Sequence, residues 1–246
     1  MHLCTRAPVP SLWTPARGQG IVIAVFDHGS RNRLTARDAD RFRGGQLFDR
    51  LGLAVCQAGC LPRKELYEAW EVARRTRRLF RGGRIVDVGG GHGLLAYTLL
   101  LLDDTSPSAV VVDPALPPSA AALREALTER WPRLAGRVVE AHMPFEQFTL
   151  RPDDLVVSSH ACGALSDQTL ARAVEARVRV AVLPCCHDFD TCDRGPLAGW
   201  VDGALAIDAM RAVRLQDAGY RVWTQTIPAA ITTKNRLLLA QPRQMG

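Results

Sequence analysis

From residue 84 onward, short apolar and β-branched runs alternate with longer stretches of mixed polarity. The runs are RIVDVG (84–89), AVVVD (109–113), RVVEAH (137–142), DLVVSS (154–159) and RVAVLP (179–184). Runs of this length, apolar on both faces, predict strands covered on both sides. The segments between them and after the last, at about 92–102, 118–131, 164–177 and 203–218, predict helices. Strand and helix in alternation imply a parallel sheet with helices on both faces. YRVWTQTIP (220–228) and RLLLAQ (236–241) follow with no helix between them, so the chain is expected to end in an antiparallel hairpin. The expected architecture is α/β, a doubly wound seven-stranded sheet, mostly parallel.

Upstream, Leu66, Ala69, Trp70, Ala73 and Phe80 recur at helical spacing, opened by Pro62 and closed by Gly82-Gly83. Glu65, Glu68 and Glu71 lie early in this helix and five arginines lie late, the order that suits the macrodipole, and Glu71 can pair with Arg75. The first sixty residues are harder to read. IVIAVFDHGS (21–30) has the composition of a strand, whereas RNRLTARDADRFRGG (31–45) is basic and either helical or mobile. The expected division is a basic N-terminal extension over 1–60, partly disordered, and one catalytic domain over 61–246.

A chain of 246 residues with 47% hydrophobic and 23% charged content can bury one large core, which excludes disordered and fibrous classes. Charge changes the picture more. Residues 1–84 hold 16 Lys or Arg against 7 Asp or Glu, whereas residues 85–246 hold 15 against 18. The excess positive charge in the first third points to a polyanionic partner, with RNA the expected one. The bland alternative is coding bias: Lys64 and Lys234 are the only lysines, so arginine dominates every surface. Seven cysteines without a secretory leader imply free thiols in a reducing, cytoplasmic setting. IVIAVF and LLAYTLLLL are too short to cross a bilayer, so no membrane partner is expected. Oligomeric state cannot be read.

IVDVGGGHGLLA joins the first strand to its helix. Glycines at 89, 91 and 93 permit a tight turn and let a ligand approach backbone and helix N-terminus. Gly91-His92-Gly93-Leu94-Leu95-Ala96 also satisfies the dinucleotide pattern G-x-G-x-x-A, a weak signal alone. Asp87 ahead of the glycines would repel a pyrophosphate and suits a ligand carrying an ammonium group, which favours S-adenosylmethionine. Asp113 closes the second strand, where a carboxylate can accept both ribose hydroxyls. His142 and Met143, ending the third strand, are candidates for the adenine edge and face.

The fourth and fifth strands lead into SSHACGALSD (158–167) and LPCCHDFD (183–190). In a doubly wound sheet both loops open on the ligand crevice, so His160, Cys162, Cys185, Cys186 and His187 are expected at its mouth. Side chains of adjacent residues on a strand point to opposite faces. Cys185 and Cys186 are therefore not expected to share an ion, and no metal is expected. A redox pair lacks C-x-x-C spacing. The thiols are read as lining an acceptor pocket.

SSHACGALSDQTL, VLPCCHDFD and ITTKNRLLLA resemble the H-x-C-G-x-x-[ST]-D, C-C-[HY] and K-N motifs of a class I methyltransferase family. That family includes acceptor-stem tRNA ribose 2′-O-methyltransferases and the methyltransferase domain of a glutathione-transferase-like protein. The resemblance covers about residues 60 to 242. It implies the Rossmann-like methyltransferase sheet, S-adenosylmethionine as donor, and a pocket from His160, Cys162, Gly163, Asp167, Cys185, Cys186 and His187. The zinc modules that precede the domain in the tRNA enzymes have no counterpart here, since His2, Cys4, His28, Cys56 and Cys60 lack finger spacing.

His160 and His187 are the candidate bases, with Asp167 or Asp188 to orient them. Lys234, Asn235 and Arg236, at the hairpin turn, are candidate substrate contacts. The expected function is methyl transfer to RNA, either tRNA or rRNA. The alternatives are a protein or small-molecule acceptor, a nicotinamide-dependent oxidoreductase, and a non-catalytic cofactor-binding module.

Overall fold

The computed structural model describes residues 27–243. Its centre is a seven-stranded sheet of β1 (Ile85–Val88), β2 (Ala109–Val112), β3 (Val138–Ala141), β4 (Leu155–Ser158), β5 (Arg179–Val182), β6 (Tyr220–Thr226) and β7 (Arg236–Pro242). The strand order is β3-β2-β1-β4-β5-β7-β6, and β1 to β5 are parallel. β7 runs antiparallel to both β5 and β6, so the expected hairpin is present and closes one end of the sheet.

Helices cover both faces: α1 (Leu47–Ala58), α2 (Arg63–Leu79), α3 (Leu94–Leu102), α4 (Ala120–Arg130), α5 (Ala164–Glu175) and α6 (Gly203–Asp217). Alternate residues of each strand face opposite ways. Ile85, Val111, Val157 and Ala181 enter a core with α1 to α4, whereas Val86, Val110, Val156 and Val180 enter a second core with α5 and α6. Tyr220 fastens the second layer by donating its hydroxyl to the carbonyls of Ala173 and Val178, at 2.7 and 3.1 Å.

The IVIAVF run lies outside the described residues, and Asp27–Ser30 form a turn. The basic stretch after it contains a 3-10 helix, Ala36–Arg41. α1 had no counterpart in the sequence reading, yet Leu51, Ala54 and Val55 are fully buried in the same core as β1, joined by Leu34 and Phe42. The helix was hidden because Gly52 interrupts its apolar pattern and Asp49 and Arg50 stand in its first turn.

Several arginines are structural. Arg75 pairs with Glu71 as expected. Arg77, 3% exposed, donates to Ser106 Oγ and to the carbonyls of Leu99 and Phe80, and faces Asp103 at 3.2 Å; burial lowers its pKa to about 10. Arg84, at the entry to β1, grips Asp154 at the entry to β4 with two bonds of 2.8 and 2.7 Å. Both are buried, so removing the carboxylate leaves a guanidinium without its counter-charge. Asp154→Ala is expected to lower the unfolding free energy by about 3–5 kcal/mol, measurable by urea denaturation; a loss within the error of the method would show that the pair does not hold β1 to β4.

Candidate active site at the carboxyl edge of the sheet

Parallel pairing sets the positions of the loops. Asp87 stands opposite Val111 of β2 and Val157 of β4, and Ser158 stands opposite Val182 of β5. The loops after β1, β2, β4 and β5 therefore leave from one edge. Ser158 Oγ donates to Val88 O at 2.7 Å and Leu183 N to Ser158 O at 2.9 Å, which ties the loop roots together. The glycine turn and His160 are neighbours, since a Cβ added at Gly89 would lie 3.9 Å from the His160 carbonyl. The fold thus sets the glycine turn against the loop that follows β4.

Asp87 lies beneath the glycine turn. It is 1% exposed, and its Oδ2 accepts from Ala96 N in the first turn of α3 at 3.2 Å. Gly90 presses on it so closely that a Cβ there would sit 2.7 Å from its carboxyl carbon. Burial, with nearby Asp113 acting in the same direction, raises the Asp87 pKa to about 7 despite the Ala96 bond. Its Oδ1 is buried with no partner, an unused acceptor at the floor of the turn. Gly91, at φ +50°, faces space in which a Cβ would meet nothing within 4 Å. Asp113, at the end of β2, accepts from Gly91 N at 3.2 Å and Ala115 N at 2.9 Å, leaving one lone pair per oxygen. An open glycine crest, an unpartnered buried carboxylate oxygen and a half-used carboxylate fit a ligand with a cationic end and a diol. His142 is largely exposed at the end of β3, near Glu140, and Met143 packs partly into the second core.

His160 borders a narrow cleft of about 20 Å³ with Glu65, Gly90 and His92. Burial, with Lys64 adding to it, drives its pKa down to about 4, so the imidazole is neutral throughout the physiological range. The first turn of α2 thus enters the site, which the sequence reading missed. Lys64 pairs with the buried Glu68 at 2.7 Å, and burial, with Glu68 nearby, raises Glu65 to about 6. Charged residues among the apolar positions of that helix were the available signal.

The orienting carboxylates are not those expected. His187 donates from Nε2 to Asp208 of α6 at 2.8 Å, its side chain 1% exposed and its Nδ1 buried without a partner. Asp208 also accepts from Arg211 at 3.2 Å and Arg236 at 2.6 Å. Burial opposes ionisation of Asp208, but the His187 and Arg236 bonds outweigh it and hold the carboxyl below its ordinary range. Asp167 is occupied by Arg211, which grips both oxygens at 3.0 and 2.7 Å, and Asp188 binds Thr191. Asp167 and Asp188 thus serve loop structure, and Asp208 takes the role assigned to them. The isolated Asp208 and Arg211 within the apolar run ALAIDAMRAV were the sign of a buried charge.

The geometric objection to a shared thiol site also fails. β5 ends at Val182, so Cys185 and Cys186 lie in a loop where strand alternation no longer applies. Their sulfurs and that of Cys162 all lie within 4.8 Å of one another, with Cys162 and Cys185 at 2.8 Å. Beside them, between α6 and the β6–β7 hairpin, an apolar hollow of about 610 Å³ is lined by Pro184, Leu205, Ala209 and Leu238, with Arg236 among its few polar groups. Asn235 is used in the turn, donating from Nδ2 to Ile227 O at 2.9 Å, while Lys234 is exposed.

Residues 65–189, just over half the chain, match a family model described as a methyltransferase domain. Comparison with curated proteins gives no match. Among solved structures, an O-methyltransferase family protein from Burkholderia thailandensis is 16% identical with a TM-score of 0.51, over 85% of this chain and 64% of its own. The S-adenosylmethionine-dependent methyltransferase SibL is 20% identical with a TM-score of 0.49, over 87% and 67%. TrmK of M. capricolum, solved with S-adenosyl-homocysteine, is 12% identical with a TM-score of 0.47, over 70% and 67%. This chain spans less than two thirds of the Burkholderia protein, and likeness at such identities is one of fold. With the family match extending from the first turn of α2 through the thiol-bearing loop, the chain belongs to the methyltransferase-domain family.

Proposed function

We propose that this enzyme methylates RNA, with a ribose hydroxyl as the acceptor the site suits best. The observation that carries the reading is the position of the surplus positive charge. Arg33 is exposed yet near enough to the glycine loop to help lower the His92 pKa, an effect due mainly to burial. Lys64 acts in the same way on His160. Arg31 and Arg37 flank Arg33 on an exposed segment, and Lys234 is exposed on the hairpin loop. Many other arginines of the first third are absorbed in structure, but these cations supply the means to hold a phosphate backbone.

S-adenosylmethionine, when bound, supplies an electrophilic methyl group on a sulfonium. Asp87 and Asp113 are the residues to hold its ammonium and ribose, with Gly89, Gly91 and Gly93 admitting it to the backbone. Since in-line transfer rests on alignment, the work of the acceptor side is positional. His160, kept neutral, accepts a hydrogen bond from the acceptor hydroxyl and orients it. Its low basicity leaves final removal of the proton to solvent. His187, fixed by Asp208, holds the shape of the thiol-bearing loop.

A second reading, a small apolar acceptor, is favoured by the hollow of about 610 Å³ beside Cys185 and by the O-methyltransferase description of the Burkholderia protein. Labelled donor incubated with RNA, protein and metabolite fractions separates the two. Label is expected in RNA, with binding that weakens steeply as salt rises. Joint reversal of Arg31, Arg33 and Arg37 to Glu should weaken RNA binding by about tenfold or more without changing affinity for S-adenosylhomocysteine. Label in the metabolite fraction alone would replace the RNA reading with the second.

Two further outcomes follow from the titrating groups. The folded-state pKa of Asp87, about 7, lies above its ordinary 3.8, so the unligated fold holds this proton more tightly than the unfolded chain. Its stabilising contribution is complete below pH 3.8 and is lost as pH rises to about 7. A cationic ligand favours the ionised form. S-adenosylhomocysteine should therefore bind about tenfold more tightly at pH 8 than at pH 6, whereas Asp87→Asn should bind weakly at both and keep its melting temperature above neutrality. Calorimetric titration of both proteins checks this, and wild-type affinity in the Asp87→Asn variant would remove Asp87 from the donor site.

For His160, kcat should show no inflection near the ordinary imidazole range, and His160→Ala, by misplacing the acceptor, should lower kcat by about a hundredfold with donor affinity intact. An inflection there that disappears in the variant would show that His160 titrates as a conventional base.

A further inference from the structure

We propose that Cys162, Cys185 and Cys186 form an open three-thiolate binding site for a single Zn²⁺ ion at the acceptor side of the pocket. Three observations support it. The sulfurs come from two different loops, after β4 and after β5, and all lie within 4.8 Å of one another. Tetrahedral zinc with bonds of about 2.3 Å requires sulfurs about 3.8 Å apart. Cys162 and Cys185, now 2.8 Å apart, need to separate by about an ångström, a small rotation for side chains at the surface. The backbone that presents them is already joined, with Gly163 N donating to Cys186 O at 3.3 Å. Gly163 itself takes φ +54°, and a Cβ on it would lie 3.7 Å from Asp188 Cβ, so the two loops are in contact there.

The donor set selects the metal. Three soft sulfurs without a carboxylate favour zinc over magnesium or calcium. Zinc binding converts the three thiols to thiolates and releases their protons to solvent, leaving one net negative charge on the unit. Among the described residues no fourth His, Cys, Asp or Glu joins the group. The fourth position is therefore open to water or to the acceptor, the pattern of sites where zinc contacts a reacting group. Cys192 is excluded, because its thiol is engaged with Asp167 at 3.3 Å. The site does not depend on the acceptor being RNA.

The test uses the full chain, purified with its thiols reduced. Titration with Zn²⁺ should saturate at one ion per chain. Co²⁺ in its place should give the visible bands of a tetrahedral ion and the intense ultraviolet absorption of cobalt–thiolate bonds. Those visible bands should shift on adding an exogenous thiol, which only an open fourth position allows. Cys162→Ser and Cys186→Ser should each weaken binding by about tenfold or more, and Cys192→Ser should leave it unchanged. The wild-type cobalt spectrum needs no variant to fold, so it decides independently. Uptake of neither metal by the reduced chain, or retention of the ion in the Cys162/Cys186 double variant, overturns the proposal. So does a chain that ignores zinc yet readily forms a Cys162–Cys185 disulfide on mild oxidation, which would make these thiols a redox pair.

Discussion

The parallel, in-register pairing of β2, β1, β4 and β5 is the constraint on which the site depends. Parallel neighbours point their carboxyl ends the same way, so every loop that follows them must open at one edge. Through that constraint the glycine turn after Asp87 and the loop that carries His160, some seventy residues on in sequence, border one cleft at that edge. The Arg84–Asp154 pair at the opposite ends of β1 and β4 fixes their relative height. A slip of one residue would turn Asp87 from the glycine turn to the other face of the sheet.

Buried charge is distributed unequally around this edge. At the glycine turn Asp87 is buried with one oxygen unpartnered and, among the described residues, no cation acting on it, so it resists ionisation. On the acceptor side Asp208 and Asp167 are saturated by Arg211, Arg236 and His187 and stay ionised. The first arrangement leaves electrostatic demand for a cofactor to satisfy. The second leaves none and works as scaffolding, holding α6, the post-β5 loop and the start of β7 in one unit. Buried ion pairs of this kind gain little net stability, but removal of one partner is expensive, so they fix geometry.

The same logic sorts the arginines, which composition alone cannot do. The surplus in the first third looked uniform in sequence, yet it divides by burial. Arg77 and Arg84 neutralise aspartates and cap carbonyls inside the fold, Arg75 pairs with Glu71 along α2, and Arg31, Arg33 and Arg37 remain exposed. That last group, on one exposed segment, is open to a polyanion. A helical pattern can show that Arg77 lies on the face of Ala73 and Phe80, but not that Asp103 and Ser106 wait beyond it.

What the sequence determined by itself is the order and type of the elements and the location of the crevice. Apolar periodicity and the glycine-led turn are local, and parallel strands linked by helices admit few arrangements. The strands, the C-terminal hairpin and the approach of the glycine loop to the loop after β4 were legible for that reason. Only the tertiary structure decided which groups touch. α1 was concealed by Gly52 and by the charges of its first turn. Asp208 displaced Asp167 and Asp188 because it lies on a helix that packs against the loop from a distant part of the chain. Cys185 and Cys186 converge on Cys162 because β5 ends three residues before them, and a loop is not bound by the alternation of a strand. Periodicity is a property of neighbours along the chain, whereas hydrogen-bond partners and ligand sets are fixed by packing between segments far apart in it.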